Sequence, residues 1–276
     1  KYIQRSTEFD VTTTIDSRGY RVVPSSNNDS DNYLVFLGDS FTFGQAVSDY
    51  ENIPNIVCKK YEQANCINLG IPGTSADSQL KSLESFVNNN PNLKGHLFHL
   101  LFASTGQNHA GNDLSVYPKS KDLEKEDLQL KSSSSLNFIR SWIRELSKKS
   151  NLFRIVRLYA GDKIRLLAYS KSTNEISQYQ ISQFSADIKK IATISNNAGL
   201  LYVPVLVSSS SSIATGDHFR THTRMGKEIG IKILLPNSNW DIRKDFFPLD
   251  GHPTFEGNKK FAQVIIDYLD SFEVID

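Results

Sequence analysis

The segment YLVFLGDSFTFG, Tyr33–Gly44, decides the fold that we expect for this chain. Its first five residues are apolar and rich in β formers, and Gly38 ends the run. A short apolar run bounded by a glycine is typical of a buried strand in a parallel sheet. Because ligands bind at the carboxyl edge of such sheets, the sequence predicts that Ser40 lies at a functional edge.

Strand and helix patterns alternate on both sides of this segment. Further short strands are predicted at 66–69, 95–103, 200–207 and 231–235, and amphipathic helices at 53–61, 80–87, 181–194 and 261–272. Strands that alternate with helices indicate a parallel sheet with right-handed crossovers. The expected fold is therefore an α/β fold, with five parallel strands between two layers of helices.

Two segments fall outside this alternation. Residues 1–32 form a lead-in that we expect to pack on the domain. Its period-two pattern from Phe9 to Ile15 and its turn signal at 17–19 predict a hairpin or an edge strand pair. Residues 104–176 are longer than a crossover needs. We expect them to be an insertion within a domain that spans 33–276, in the form of a lid or of a substrate-contacting subdomain.

Composition excludes several classes of protein. The net charge of +1 gives no electrostatic basis for nucleic-acid binding. No run of 18 apolar residues exists that would predict a membrane span. The chain begins at Lys1 rather than Met, which suggests a processed form or an excised fragment. The compartment stays open, and an extracytoplasmic one would fit if targeting segments have been removed.

The chain has two cysteines, Cys58 in a predicted helix and Cys66 at the start of a predicted strand. Both positions have the pattern of core residues, and a free cysteine behaves as a small apolar side chain. We therefore expect two buried free thiols. A disulfide is the alternative, because eight residues of spacing neither require nor forbid one.

A serine hydroxyl is a weak nucleophile until a base takes its proton. The chain offers a base near its far end, where Asp250 is followed by Gly251 and His252. Two residues apart in an extended segment, the carboxylate and the imidazole point to the same side, and Pro253 favours that extended conformation. Ser40, His252 and Asp250 are thus candidates for nucleophile, base and orienting acid.

The blocks Gly38–Ser40 and Thr42–Gly44, together with Asp250 and His252, resemble the signature blocks of the SGNH or GDSL hydrolase family. One departure is that Asp250 and His252 are separated by a single residue, whereas many family members have two residues there. The resemblance implies a flavodoxin-like three-layer α/β/α fold. It also implies acyl transfer through an acyl-serine intermediate.

The same resemblance implies a set of donors for the developing oxyanion: the Ser40 N–H, a glycine N–H and an asparagine side chain. Gly73 is the candidate glycine, with Gly70 as its rival. Asn112 is the candidate asparagine, with Asn108 as the alternate because an insertion separates Asn112 from the preceding strand. Asp39 is expected to be a structural residue of the turn.

The expected function is that of a serine esterase removing small acyl groups, such as acetyl, from a carbohydrate or another ester. One alternative is an O-acetyltransferase domain that hands the acyl group to a polysaccharide. A second is a non-catalytic carbohydrate-binding module of the same fold. No cofactor or metal is expected: His218 and His222 have the spacing of a metal pair without a supporting ligand, and His96 and His99 fall on opposite faces of a strand.

Overall fold

The computed structural model describes residues 1–102, 178–210, 213, 223, 226–237 and 239–273. In chain order its elements are β1 (Tyr2–Arg5), β2 (Asp10–Thr13), β3 (Asn32–Gly38), α1 (Ser40–Phe43), α2 (Ile53–Lys60), β4 (Asn65–Gly70), α3 (Ala76–Asn89), β5 (Lys94–Phe102), α4 (Gln178–Asn197), β6 (Leu200–Val207), α5 (Ile242–Asp245) and α6 (Phe255–Glu273). The first four predicted core strands are present, each with bounds close to those predicted. None of the described helices has the length and apolar character that a membrane span requires.

Strand β3 lies inside a parallel sheet of four strands in the order β4–β3–β5–β6. Phe36 in the middle of β3 pairs with Asn68 of β4 on one side and with Phe98 of β5 on the other. The carboxyl ends of all four strands therefore lie at the same edge of the sheet. Ser40 follows the central strand at that edge.

The fifth predicted strand, 231–235, is shorter in the structure than the sequence indicates. It forms a single parallel bridge between Leu234 and Val205 of β6. The Leu234 N–H donates to the Pro204 carbonyl at 2.9 Å, and its carbonyl accepts from the Leu206 N–H at 2.9 Å. With this bridge at the outer edge, the order of strands is that of a flavodoxin-like doubly wound sheet.

Alternate residues of β3 enter two separate cores. Leu34 and Phe36 lie in the core that α2 and α6 cover, and Val35 and Leu37 lie in the core that α3 and α4 cover. All four side chains are buried. A strand covered by helices on both faces has no polar face, which is why its sequence is a continuous apolar run. The fold is a three-layer α/β/α sandwich, as expected.

The lead-in forms a two-stranded antiparallel sheet from β1 and β2. The sequence pattern places the hairpin turn at 17–19, but the regular ladder surrounds the earlier turn, where the Ser6 N–H donates to the Phe9 carbonyl at 2.9 Å. Around the later turn there is a single antiparallel bridge, between Ile15 and Arg21. That 1–32 is a lead-in packing on the domain and that 104–176 is an insertion both stay predictions, and 104–176 lies outside the described residues.

The expectation of free thiols at Cys58 and Cys66 is wrong, because the two residues form a disulfide with Cα atoms 6.2 Å apart. Helix α2 packs against the sheet directly over the start of β4, so both sulfur atoms point into the same core. The sequence shows that both positions are buried, but their mutual distance depends on how α2 crosses the sheet. That crossing is a property of tertiary packing.

Candidate active site

Ser40 is delivered by a sharp change from strand to helix. Strand β3 ends at Gly38, and Asp39 caps the four-residue helix α1 by accepting a hydrogen bond from the Phe41 N–H at 3.0 Å. At position 38 a Cβ atom would lie 2.1 Å from Thr42 Oγ1 and 2.9 Å from the Leu100 carbonyl oxygen. Only glycine therefore fits at the point where the chain turns towards the serine.

The structure brings together three side chains that are far apart in sequence. Ser40 Oγ lies 2.7 Å from His252 Nε2, across 212 residues of chain. On the other side of the ring, His252 Nδ1 lies 2.5 Å from Asp250 Oδ1. Because a carboxylate can only accept, Nδ1 carries the proton and Nε2 is left to accept from the serine hydroxyl. The arrangement has the geometry of a nucleophile, a base and an orienting acid.

The loop that carries the acid and the base is not the extended segment that the sequence predicts, because it turns back on itself at 248–250 and Gly251 has a left-handed φ of +83°. The Phe247 N–H donates to the His252 carbonyl at 2.9 Å, and the Gly251 N–H donates to the Phe247 carbonyl at 2.8 Å. Phe41 packs beside the imidazole, with ring centroids 4.7 Å apart. The side chains of His252 and Asp250 remain 16% and 22% exposed, so the site is sheltered but reachable from solvent.

The two carboxyl groups near Ser40 differ in their electrostatic surroundings. Burial raises the pKa of Asp250, but the hydrogen bond and the charge of His252 outweigh it, and the net pKa is lowered. Burial raises the pKa of Asp39 to about 6. The hydrogen bond from the Phe41 N–H lowers this pKa, but by less than burial raises it. Asp250 is therefore held as the anion that an imidazolium needs beside it.

Two of the candidate oxyanion donors can be located. The Ser40 N–H opens α1 and, within the described residues, donates to no protein group. Gly73 lies in an exposed turn with φ +73°, and no atom comes within 4 Å of the position of an added Cβ. Its N–H is likewise without a partner among the described residues. Both amides are therefore available to a ligand.

Gly70, the rival of Gly73, has a different role. Its N–H donates to Asn68 Oδ1 at 2.9 Å, and a Cβ at position 70 would lie 2.2 Å from the Phe43 nitrogen. Asn68 itself donates to the Thr42 carbonyl at 3.0 Å. Gly70 therefore permits close packing of α1 on β4, and its amide is already used by the fold.

The asparagine candidates, Asn112 and Asn108, both lie outside the described residues. The histidine pair His218 and His222 lies there as well. His96 and His99 point into different layers of the sandwich: His96 stacks on Phe98, and His99 Nε2 lies 2.8 Å from Gln79 Oε1. Among the described residues there is no group of three His, Cys, Asp or Glu side chains that could hold a metal ion.

Sequence reasoning did not single out two residues, Arg21 and Glu8, whose side chains hydrogen-bond to the backbone around the site. Arg21 is buried and donates from Nη2 to the Val47 carbonyl at 2.8 Å and from Nε to Asp49 Oδ1 at 3.1 Å. Glu8 accepts hydrogen bonds from the backbone of the Asp250 loop. The sequence carried a signal for Arg21, since it follows a glycine and an aromatic residue ahead of the Ser40 block, but none for Glu8.

Comparisons with known proteins give similarities of structure only. No family model matches the chain, and no curated protein matches its sequence. A lipolytic protein of the G-D-S-L family from Veillonella parvula DSM 2008 is 13% identical, with a TM-score of 0.49, over 85% of this chain and 96% of that chain. The SGNH-hydrolase family esterase AlinE4 is 10% identical, with a TM-score of 0.34, over 76% of this chain and 77% of that one.

An acetylxylan esterase from Geobacillus stearothermophilus is also similar, at 11% identity and a TM-score of 0.40, over 87% of this chain and 94% of the esterase. The solved structures to which this chain is similar thus include hydrolases and esterases described as belonging to the GDSL or SGNH family.

Proposed function

We propose that this protein is a serine-dependent esterase of the SGNH type, with Ser40 as nucleophile, His252 as base and Asp250 as orienting acid. The observation that supports the proposal most strongly is the continuous hydrogen-bonded row from Ser40 Oγ through the His252 ring to Asp250 Oδ1. A structural serine has no need of a base at 2.7 Å that is itself oriented by a carboxylate.

In the proposed first step Ser40 Oγ attacks the ester carbonyl carbon while its proton passes to His252 Nε2. The negative charge that develops on the carbonyl oxygen is stabilised by the Ser40 and Gly73 N–H groups and by an asparagine amide, Asn112 or Asn108. Each preorganised donor of this kind contributes about 3–4 kcal/mol to the transition state. The C–O bond to the alcohol then breaks, and His252 gives its proton to the departing oxygen.

In the second step a water molecule gives a proton to His252 Nε2 and attacks the acyl-serine carbonyl. The bond between the acyl carbon and Ser40 Oγ breaks, the serine regains a proton from His252, and the carboxylic acid leaves. Asp250 stabilises the imidazolium in both steps and keeps its own negative charge.

The proposed substrates are small acyl esters of a carbohydrate. We further propose that 1–32 is a lead-in that packs on a domain spanning 33–276, and that this domain has an insertion at about 104–176.

The test is the hydrolysis of p-nitrophenyl acetate and p-nitrophenyl butyrate by the wild type, by Ser40→Ala and by Ser85→Ala. Ser85 is an exposed serine of α3 and serves as the matched control. We expect the Ser40 variant to lose turnover and the Ser85 variant to keep it, and the acetate to be cleaved faster than the butyrate. Equal background rates from the wild type and Ser40→Ala would contradict the proposal and favour a non-catalytic binding module.

A second arm separates hydrolysis from transfer. The same assay is repeated with an added oligosaccharide, and the sugar is analysed for acylation by mass spectrometry. Free acetate without acylated sugar is expected for an esterase. Faster turnover together with acylated sugar would instead identify an O-acetyltransferase that uses the same three residues.

A further inference from the structure

The turn of the N-terminal hairpin contacts the loop that carries Asp250. The Glu8 carboxylate accepts hydrogen bonds from the Leu249 N–H at 2.9 and 3.0 Å and from the Asp250 N–H at 2.8 Å. Glu8 and Asp250 are 242 residues apart in the sequence. The contact therefore joins two segments near opposite ends of the described chain, at the residue proposed as the orienting acid.

Glu8 is held in place on its own side of the contact. Ser6 Oγ accepts hydrogen bonds from the Glu8 N–H at 3.0 Å and from the Phe9 N–H at 3.3 Å, which fixes the turn. Next to it the rings of Phe9 and Phe247 meet edge to face, with centroids 5.4 Å apart. The apolar contact and the carboxylate contact together fix how the hairpin turn sits against the 247–250 segment.

On the other side, the Leu249 and Asp250 N–H groups have no other acceptor among the described residues. The Gly251 N–H closes the turn by donating to the Phe247 carbonyl. The orientation of the peptide units before Asp250 thus depends on Glu8, and that orientation sets the direction in which the Asp250 side chain leaves the backbone. The anionic carboxylate is suited to this task, because charge-assisted hydrogen bonds are shorter and stronger than neutral ones.

We propose that Glu8 is a positioning residue for Asp250. It holds the backbone of the acid loop so that Oδ1 of Asp250 reaches His252 Nδ1. Glu8 acts through Asp250 and does not touch the reacting atoms. The inference rests on the proposed function, and it assigns the lead-in hairpin a part in the reaction.

The test compares Glu8→Ala, Glu8→Gln and Asp10→Ala in the ester assay. Asp10 belongs to the same hairpin, and within the described part of the chain its side chain pairs only with the exposed Arg5, so its variant controls for the loss of an acidic residue there. We expect Glu8→Ala to lower kcat about tenfold while KM stays within about twofold, since a misplaced catalytic group slows the chemical step more than it weakens binding. Glu8→Gln retains an acceptor oxygen and should recover most of kcat, and Asp10→Ala should match the wild type.

A second measurement does not depend on turnover. The proton shared by His252 Nδ1 and Asp250 gives a low-field NMR resonance, which we expect in the wild type and in Asp10→Ala but shifted or lost in Glu8→Ala. If the wild type hydrolyses no ester, the proposed function fails, and the resonance still tests Glu8. Wild-type kcat and an unchanged resonance in Glu8→Ala would overturn the inference.

A destabilised variant is recognised by its thermal unfolding midpoint, and the kinetic comparison is made well below that temperature. If Glu8→Ala does not fold, Glu8→Leu, which fills a similar space without an acceptor oxygen, takes its place beside Glu8→Gln. A folded Glu8→Leu protein should lose kcat and the resonance, whereas Glu8→Gln should keep most of both. A folded Glu8→Leu protein that keeps the kcat and the resonance of Asp10→Ala would overturn the inference.

Discussion

The Arg21 guanidinium donates a hydrogen bond of 2.6 Å to the carbonyl oxygen of Phe43. Phe43 is the last residue of α1, which Ser40 begins, so α1 is held at its C-terminal end by a residue of the lead-in. The Arg21 side chain is completely buried, and its only carboxylate partner in the described structure is Asp49. Burial lowers the pKa of Arg21, and the charge of Asp49 acts in the opposite direction.

Replacing this arginine should be costly. We expect Arg21→Met to lower the free energy of unfolding by about 3–5 kcal/mol, because it leaves the Asp49 carboxylate buried without its partner. Urea unfolding measures the loss, and the exposed Arg5→Met is the matched control. The double variant Arg21→Met/Asp49→Asn should recover part of the stability. An Arg21→Met protein as stable as Arg5→Met would show that the buried pair of Arg21 and Asp49 does not stabilise the fold around α1.

Asp39 should make stability depend on pH in an unusual direction. Its pKa is raised by burial to about 6, from an ordinary 3.8, so the folded state holds this proton where the unfolded state has lost it. The stabilisation from the neutral acid is therefore complete below the unfolded pKa and is lost as the pH rises through the folded one.

The variant Asp39→Asn keeps a capping side chain but cannot ionise. Because only the wild type loses this contribution, the difference in free energy of unfolding, variant minus wild type, should increase by about 2–3 kcal/mol between about pH 4 and about pH 7. Urea unfolding at a series of pH values gives the difference between the two proteins. Curves that stay parallel across this window would contradict a raised pKa at Asp39.

The two glycines after β4 should respond differently to alanine. A Cβ at position 70 collides with the backbone of α1, at 2.2 Å from the Phe43 nitrogen, whereas one at position 73 meets no atom within 4 Å. We expect Gly70→Ala to cost about 3 kcal/mol or more in stability through overpacking. Gly73→Ala should cost only about 1–2 kcal/mol, from its left-handed backbone conformation.

Kinetic measurements on Gly73→Ala test whether the Gly73 N–H stabilises the oxyanion. In Gly73→Ala the strained turn shifts the amide, so kcat should fall although the protein stays folded. Thermal unfolding and p-nitrophenyl acetate hydrolysis, measured on the same samples, separate the two effects. A Gly73→Ala protein with wild-type kcat would remove Gly73 from the proposed set of donors.

The disulfide between Cys58 and Cys66 should stabilise the fold without taking part in the reaction. It closes a loop of eight residues, for which the loss of chain entropy in the unfolded state predicts about 2–3 kcal/mol. We expect dithiothreitol to lower the free energy of unfolding of the wild type by about that amount. The Cys58→Ala/Cys66→Ala variant should be less stable, insensitive to dithiothreitol and unchanged in kcat. A wild type that is equally stable with and without the reductant would contradict this.

The sheet and the row of three side chains could be predicted because both depend on local patterns. The apolar run before Gly38 indicates a strand covered on both faces, and the strand itself determines where Ser40 emerges. Asp250 and His252 are close in sequence, so their side chains could be expected to meet, although a turn with Gly251 at φ +83° brings them together and not the extended backbone that the sequence predicts. Ser40 follows the carboxyl end of β3 and His252 precedes α6. When these two segments meet at one edge of the sheet, Ser40 Oγ lies 2.7 Å from His252 Nε2.

The remaining features depend on tertiary packing, which no short pattern encodes. The disulfide required the angle at which α2 crosses β4, and the sequence around Cys58 and Cys66 carries no measure of that angle. Glu8 is one acidic residue in a hairpin turn, a position where acidic residues are common on any protein surface. The strand predicted at 231–235 is reduced to a bridge at Leu234, because apolar composition marks burial but not how many backbone pairs form.

The long separation between Ser40 and His252 has a consequence for the biosynthesis of this protein. A ribosome that has just added Ser40 must still add 212 residues to reach His252. Until the segment that carries His252 has been synthesised and has packed beside Ser40, the hydrogen bond between Ser40 Oγ and His252 Nε2 cannot form. If Ser40 is the nucleophile that we propose, the nascent chain therefore gains its activity only after most of the described residues have been synthesised.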